Sequence, residues 1–230
     1  MLFRSASDAA KRIVVCGGGI GGLSTAFDAK QLLRPQDEVI VISDREQFQF
    51  TPSNPWVALH KRTEREISLS LTKVLPRHDI QFIHASVQSL KPKLNQVVLD
   101  DGTKVPYDFL VIATGPRLGY EEIPGARGHH NHTASICTTP HALRASETFD
   151  HLLANPGPVV VGATQGSSCF GPAYEYALLL QNELRKRGGR KLVEQCPIQF
   201  ITPEPYIGHL GLKGAGKSPE ILTGALTWLL

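Results

Sequence analysis

Twice in this chain a short apolar run leads straight into a glycine-rich turn and an amphipathic helix, an order that few folds other than a parallel α/β sheet accommodate. In the first, residues 13–16 (IVVC) precede Gly17, Gly19 and Gly22 in G-x-G-x-x-G spacing, and Leu23, Ala26, Phe27, Lys30 and Leu33 then recur at helical period. Pro35 cannot continue a helix, so this one is expected to stop near Arg34. A second apolar run, residues 39–43, completes a strand–turn–helix–strand unit. Free N–H groups at such a helix start suit a pyrophosphate. Asp44 follows Gly17 by 27 residues, near the place where an acidic residue about 20 residues on holds ribose hydroxyls. Gly17, Gly19, Gly22, Ser43 and Asp44 are therefore expected to bind a dinucleotide.

The second unit has the same outline and different chemistry. In residues 162–177, GATQGSSCFGPAYEYA, Thr164 and Ser167 break the glycine spacing and Cys169 stands in the turn. A free thiol titrates near about 8.5 and a helix N-terminus can bring it to roughly 3.5–7.5, so a cysteine in this place is expected to be a nucleophile. The following helix is expected to bury Ala173, Tyr176, Ala177, Leu180 and Leu184, and to close with its basic run before Gly188 and Gly189. Residues 198–202 read as a further strand, and residues 222–230 as the start of another helix. Thr139 and Pro140 read as the N-cap and first residue of an intervening helix, which puts Cys137 before a helix start as well. His141 lies close enough to exchange a proton with Cys137 if that turn folds back. Between the two units, Asp101 and Gly102 mark a hairpin, and an apolar strand at 107–113 is broken by Thr114, Gly115 and Pro116.

At Ala113, Thr114 and Gly115 the sequence resembles the two-dinucleotide-domain flavoproteins, in which an ATG turn closes the FAD domain beneath the flavin; that resemblance implies FAD rather than NAD at the first site. Four segments are similar to sulfide:quinone oxidoreductase, in the same order and at similar separations: FQFTPSNPWVAL at 48–59, SICTTPHA at 135–142, SSCFGPAYEYA at 167–177 and ITPEPYIGHLG at 201–211. The resemblance implies that a cysteine beside FAD takes up sulfide, holds the sulfur as persulfide or polysulfide, and passes two electrons through the flavin to a quinone. It assigns Cys169 and Cys137 to family cysteines, His141 and His209 to histidines implicated in activity, and Glu175 to an acidic residue of the same helix. Full-length members are about twice as long and are peripheral on the membrane. Their other half carries the last FAD-binding segment, a cysteine that pairs with the one matched by Cys169, the quinone site and an amphipathic tail. On that ground the chain is expected to be an N-terminal half that binds FAD weakly and turns over little alone. Two other readings compete: a type II NADH:quinone dehydrogenase, which needs the glycine fingerprint that the second unit lacks, and a non-catalytic flavin-binding module in which Cys137 and Cys169 form a reversible disulfide.

Composition limits the remaining classes. With 41% hydrophobic residues the chain can bury a core, and a net charge of +3 is too small to suggest a polyanionic partner. Arg185, Lys186, Arg187, Arg190 and Lys191 lack interleaved aromatics, so no nucleic-acid binding is expected. No apolar run reaches the roughly 20 residues that span a bilayer, and the first twelve residues lack the apolar centre of a secretion signal. A cytoplasmic protein with free thiols is expected, Cys16 serving as core and Cys196 given no role. His129, His130 and His132 have no cysteine or carboxylate at ligand spacing and read as a solvated loop, so no metal is expected. The expected organisation is an α/β FAD-binding Rossmann-like section with an inserted hairpin region and a connection at 1–155, then an incomplete second Rossmann-like unit at 156–230.

Overall fold

A computed structural model describes residues 9–124, 133–167 and 169–209. The histidine cluster at 129–132 and the expected helix at 222–230 lie outside the described residues. In chain order these residues form β1 (Arg12–Cys16), α1 (Ile20–Leu32), β2 (Glu38–Ser43), β3 (Gln47–Gln49), α2 (Asn54–Ala58), β4 (Ser68–Ser70), α3 (Leu71–Val74) and β5 (Gln81–His84). There follow β6 (Val87–Lys91), β7 (Gln96–Leu99), β8 (Lys104–Pro106), β9 (Phe109–Ile112), α4 (Thr139–Ala154), β10 (Val159–Gly162), α5 (Gly171–Gln195) and β11 (Ile198–Ile201). They group into two compact units, one built from residues up to 50 with 67–119, the other from 51–66 and from 120 onward.

In the first unit β1 is apolar at successive positions because both faces of its sheet are covered. The sheet is parallel, in the order β5-β2-β1-β9, with Val14 opposite both Ile40 and Leu110. Ile13, Val15, Val39 and Val41 pack with Ala26 of α1 and with Leu71, Leu75 and Ile80 on one face. Val14, Cys16, Ile40 and Ile42 pack on the other face against Val97, Leu99 and Val105 of the antiparallel sheet β6-β7-β8. Gly102, at φ +84°, makes the β7–β8 hairpin turn that Asp101 and Gly102 predict. The helix α1 ends where Pro35 requires, with the Leu33 N–H closing the last turn on Ala29 O at 3.0 Å. Asp37 then gathers the chain. Its carboxylate accepts from Lys11 N at 2.8 Å, Arg34 N at 3.1 Å and Arg34 Nη2 at 2.8 Å. The Arg34 guanidinium, then the Lys11 amide, hold this carboxyl well below the usual range.

The second unit pairs β10 with β11 in parallel, Val161 opposite Phe200, and shares its core with α4 and α5. Its core joins Leu59, Phe149, Val161, Ala177, Leu180, Leu184 and Cys196. Three details of this unit differ from expectation. The N-cap of α4 is Thr138, whose Oγ1 accepts from His141 N, while Thr139 is already helical and fully buried. On α5 it is Tyr174, rather than Ala173 or Tyr176, that joins Ala177, Leu180 and Leu184 among the buried positions; Tyr176 is half-buried, and burial pushes its phenol up to about 12. The helix breaks at Gly189, at φ +63° and ψ −156°, and then resumes, so Arg190 and Lys191 lie past the break. Phe109–Ile112 is also shorter than the strand predicted at 107–113, because Asp108 turns back to accept from Arg12 N at 2.8 Å.

Candidate active site

The three glycines of the first turn meet three different demands. Gly17 has φ +119°, and a Cβ there would collide with the Ala113 carbonyl. Its N–H donates to Ile42 O at 2.8 Å, tying the turn to the end of β2. A Cβ on Gly22 would strike the Gly17 carbonyl, so only glycine lets the first turn of α1 lie this close to the strand end. Gly19 is different. It is the N-cap of α1, and a Cβ there would meet nothing within 4 Å. The fold leaves that side open, which is the room a pyrophosphate needs in order to approach helix N–H groups.

The other expected cofactor residues stand at the same ends of the parallel strands. Ala113 N–H donates to Cys16 O at 2.8 Å, which hinges the Ala113–Thr114–Gly115 turn to the glycine turn, and Gly115 takes φ +74°. Ser43 is buried at the end of β2, its Oγ accepting from Arg45 N at 3.2 Å. Asp44 is exposed, with its carbonyl 3.2 Å from His84 Nε2. An open helix start, a serine and an exposed carboxylate at the carboxyl ends of parallel strands fit a dinucleotide.

The second unit holds both exposed thiols. Cys16 and Cys196 are buried, and burial pushes the Cys16 thiol up, as suits core packing; Cys137 and Cys169 are exposed. Cys137 lies just before α4 in a stretch fixed by Asn54. That amide is fully buried, its Nδ2 donating to Ile136 O at 3.0 Å and its Oδ1 accepting from Thr139 Oγ1 at 3.1 Å. Ser135 Oγ accepts the Cys137 N–H at 3.2 Å and lies 2.7 Å from the Tyr120 hydroxyl. The same hydroxyl is 3.0 Å from His141 Nδ1, and the two rings meet edge-on with centroids 4.8 Å apart. Burial pushes the Tyr120 phenol up first; Ser135 and Arg144 pull it down, and the neighbouring Cys137 thiol raises it further.

Cys169 stands in the turn after β10, two residues ahead of α5. The residues that break the glycine pattern hold this turn themselves: Ser167 N donates to Thr164 O at 3.1 Å, the two hydroxyls lie 3.2 Å apart, and Gly166 takes φ +84°. Glu175 is exposed on α5 and accepts from Trp56 Nε1 at 3.0 Å. His209 packs edge-on against Tyr206 at 5.1 Å, in a segment anchored to α5 by the Gly208 N–H donating to Tyr174 Oη at 2.9 Å. Tyr174 in turn donates to Glu204 at 2.6 Å, and burial, then that carboxylate, push its phenol up to about 12. Cys137 and His141 thus share one cluster, whereas Glu175 and His209 are partnered by Trp56 and Tyr206. Sequence reasoning missed Asn54, Tyr120, Ser135 and Tyr174. Asn54, Ser135 and Tyr174 stood inside the quoted segments, but Tyr120 carried no local signal.

Among the described residues no helix is long and apolar enough to cross a membrane. The pyridine nucleotide-disulphide oxidoreductase family profile matches residues 11–165. A sulfide-quinone reductase of Aquifex aeolicus is 47% identical over 93% of this chain and 48% of its own length. The mitochondrial sulfide:quinone oxidoreductase of Mus musculus is 31% identical over 77% of this chain and 39% of its own. The crystal structure of the Aquifex aeolicus sulfide:quinone oxidoreductase superposes with a TM-score of 0.85 at 45% identity, over 96% of this chain and 49% of that one. NDH2 from Plasmodium falciparum, with a TM-score of 0.69 at 16% identity, shares the fold. The chain spans about half the length of the curated sulfide-quinone reductase it matches. The resemblance read from the four segments is borne out, and the chain belongs to the pyridine nucleotide-disulphide oxidoreductase family.

Proposed function

We propose that this chain carries the flavin-binding and sulfide-reacting part of a sulfide:quinone oxidoreductase. The observation that carries this reading is the 47% identity over 93% of the chain to a sulfide-quinone reductase. FAD is the family's cofactor, and when bound it supplies a two-electron acceptor that hands its electrons to quinone. Gly17, Gly19 and Gly22 would bring the α1 N-terminus to the FAD pyrophosphate, Ser43 and Asp44 would hold its ribose, and the Ala113–Thr114–Gly115 turn would close the site. Cys169 would be the thiol that takes up the sulfide sulfur and holds it as a persulfide, a two-electron oxidation that releases the HS⁻ proton and for which FAD, when bound, would be the acceptor. Cys137 is the second sulfur-handling thiol, His141 its acid–base partner, and His209 and Glu175 stand at positions that match a histidine implicated in activity and an acidic residue of the same helix in the family.

Division by ligand then differs from division by packing. Residues 1–155 form the FAD-binding section with its connection and 156–230 the start of the second Rossmann-like unit, although α4 packs with the latter. Sulfide and quinone are the substrates, and the site is cytoplasmic, with quinone reached at a membrane surface. The electron donor is the test. With FAD in excess and oxygen removed, sulfide is expected to bleach the visible absorbance of the bound flavin and NADH is not. Bleaching by NADH alone would restore the NADH dehydrogenase reading, against which Thr164 and Ser167 now stand.

A further inference from the structure

We propose that Tyr120 is a positioning residue that links the Cys137 thiol to His141 and carries the thiol proton between them. Its hydroxyl sits at the junction of the cluster, 3.0 Å from His141 Nδ1 and 2.7 Å from Ser135 Oγ, and the neighbouring Cys137 thiol raises the phenol's pKa. Ser135 also accepts the Cys137 N–H at 3.2 Å, so one serine orients both the cysteine backbone and the phenol. On the other side the His141 N–H is capped by Thr138 Oγ1 at 3.3 Å, which fixes the histidine at the start of α4. In the transfer, Cys137 sulfur gives its proton to the Tyr120 oxygen as that oxygen gives its own to His141 Nδ1. A thiolate, a neutral phenol and an imidazolium remain, and the charges balance.

The surroundings favour a phenol that stays protonated between transfers. Burial raises Tyr120 above the ordinary tyrosine value, more than Arg144, one turn along α4, lowers it. Glu121 and Glu122 follow Tyr120 on its own turn and are exposed, and α2 brings the neutral amide of Asn54 to Ile136 O and Thr139 Oγ1. The use of this relay in sulfide oxidation rests on the reading above. Thiol reactivity is measured without sulfide, quinone or flavin, so the relay and that reading fail independently.

The test is alkylation of the full chain by iodoacetamide, with Cys137 and Cys169 followed separately by peptide mass spectrometry between about pH 6 and about pH 10. Tyr120→Phe keeps the ring against His141 and removes the hydroxyl. It is expected to slow Cys137 alkylation roughly tenfold near pH 7, with the difference closing near pH 10 where thiols ionise unaided, and to leave Cys169 unchanged. His141→Gln, which leaves the phenol's packing in place, is expected to slow Cys137 similarly, and the double variant no further than either single one. An unchanged Cys137 rate in either variant overturns the proposal. So does an equal slowing at Cys169, which would mark a general loss of structure.

Discussion

Asn54 is buried completely, yet both ends of its amide are used, on Ile136 O and Thr139 Oγ1. Replacing it by alanine leaves a carbonyl and a hydroxyl without that partner, and the expected cost is about 1–3 kcal/mol, read as a lower urea midpoint. Because those bonds brace the residues on either side of Cys137, Asn54→Ala should also alter Cys137 alkylation while sparing Cys16. A second residue ties the stability of the first unit to pH. Asp37 has a carboxyl pKa depressed by Arg34 and Lys11, so it contributes stability above the unfolded value near about 4 that is lost as pH falls through the folded one. Asp37→Asn is therefore expected to be less stable at neutral pH and to lose less on acidification to about pH 3, compared by urea midpoints at the two pH values.

At the scale of elements, the first glycine turn separates what the fold needs from what a cofactor needs. Gly22→Ala drives a methyl into the Gly17 carbonyl and is expected to cost about 3 kcal/mol or more. Gly19→Ala meets nothing in the protein, so stability should move by no more than about 1 kcal/mol, the scale of an N-cap change. FAD affinity should nevertheless fall at least tenfold by flavin fluorescence titration; unchanged affinity would remove the pyrophosphate from this turn. This turn was legible from sequence because strand period, glycine spacing and helix period are local patterns. The start of α4 was less so. Thr139 looked like the N-cap, but its hydroxyl is taken by Asn54 from far away in the chain, and Thr138 caps instead. Likewise Tyr174 is buried ahead of Tyr176 because Glu204 and Gly208 satisfy its hydroxyl, a pairing that helical period cannot reveal. The Tyr120 cluster joins Tyr120 to the separate stretch at 135–141 with no repeat between them, so only the folded chain shows it.

Over the whole molecule, the α/β class and the parallel core follow from the order of apolar runs and glycine turns, but the grouping into units does not. Residues 51–66 lie within the first section of sequence and pack with the second unit, because Leu59 of that stretch meets Phe149 and Leu180 in its core. The chain spans about half of its Aquifex aeolicus relative, so measurements on it are made with FAD supplied in excess. The most direct measurement locates the sulfur. The FAD-loaded chain is exposed to sulfide without oxygen, its thiols and persulfides are trapped by alkylation, and each cysteine peptide is weighed. The account predicts one additional sulfur atom on Cys169, accompanied by flavin bleaching, with both lost in Cys169→Ala. Flavin bleached equally by sulfide in that variant, or no added sulfur on Cys169 while the flavin is reduced, would contradict it.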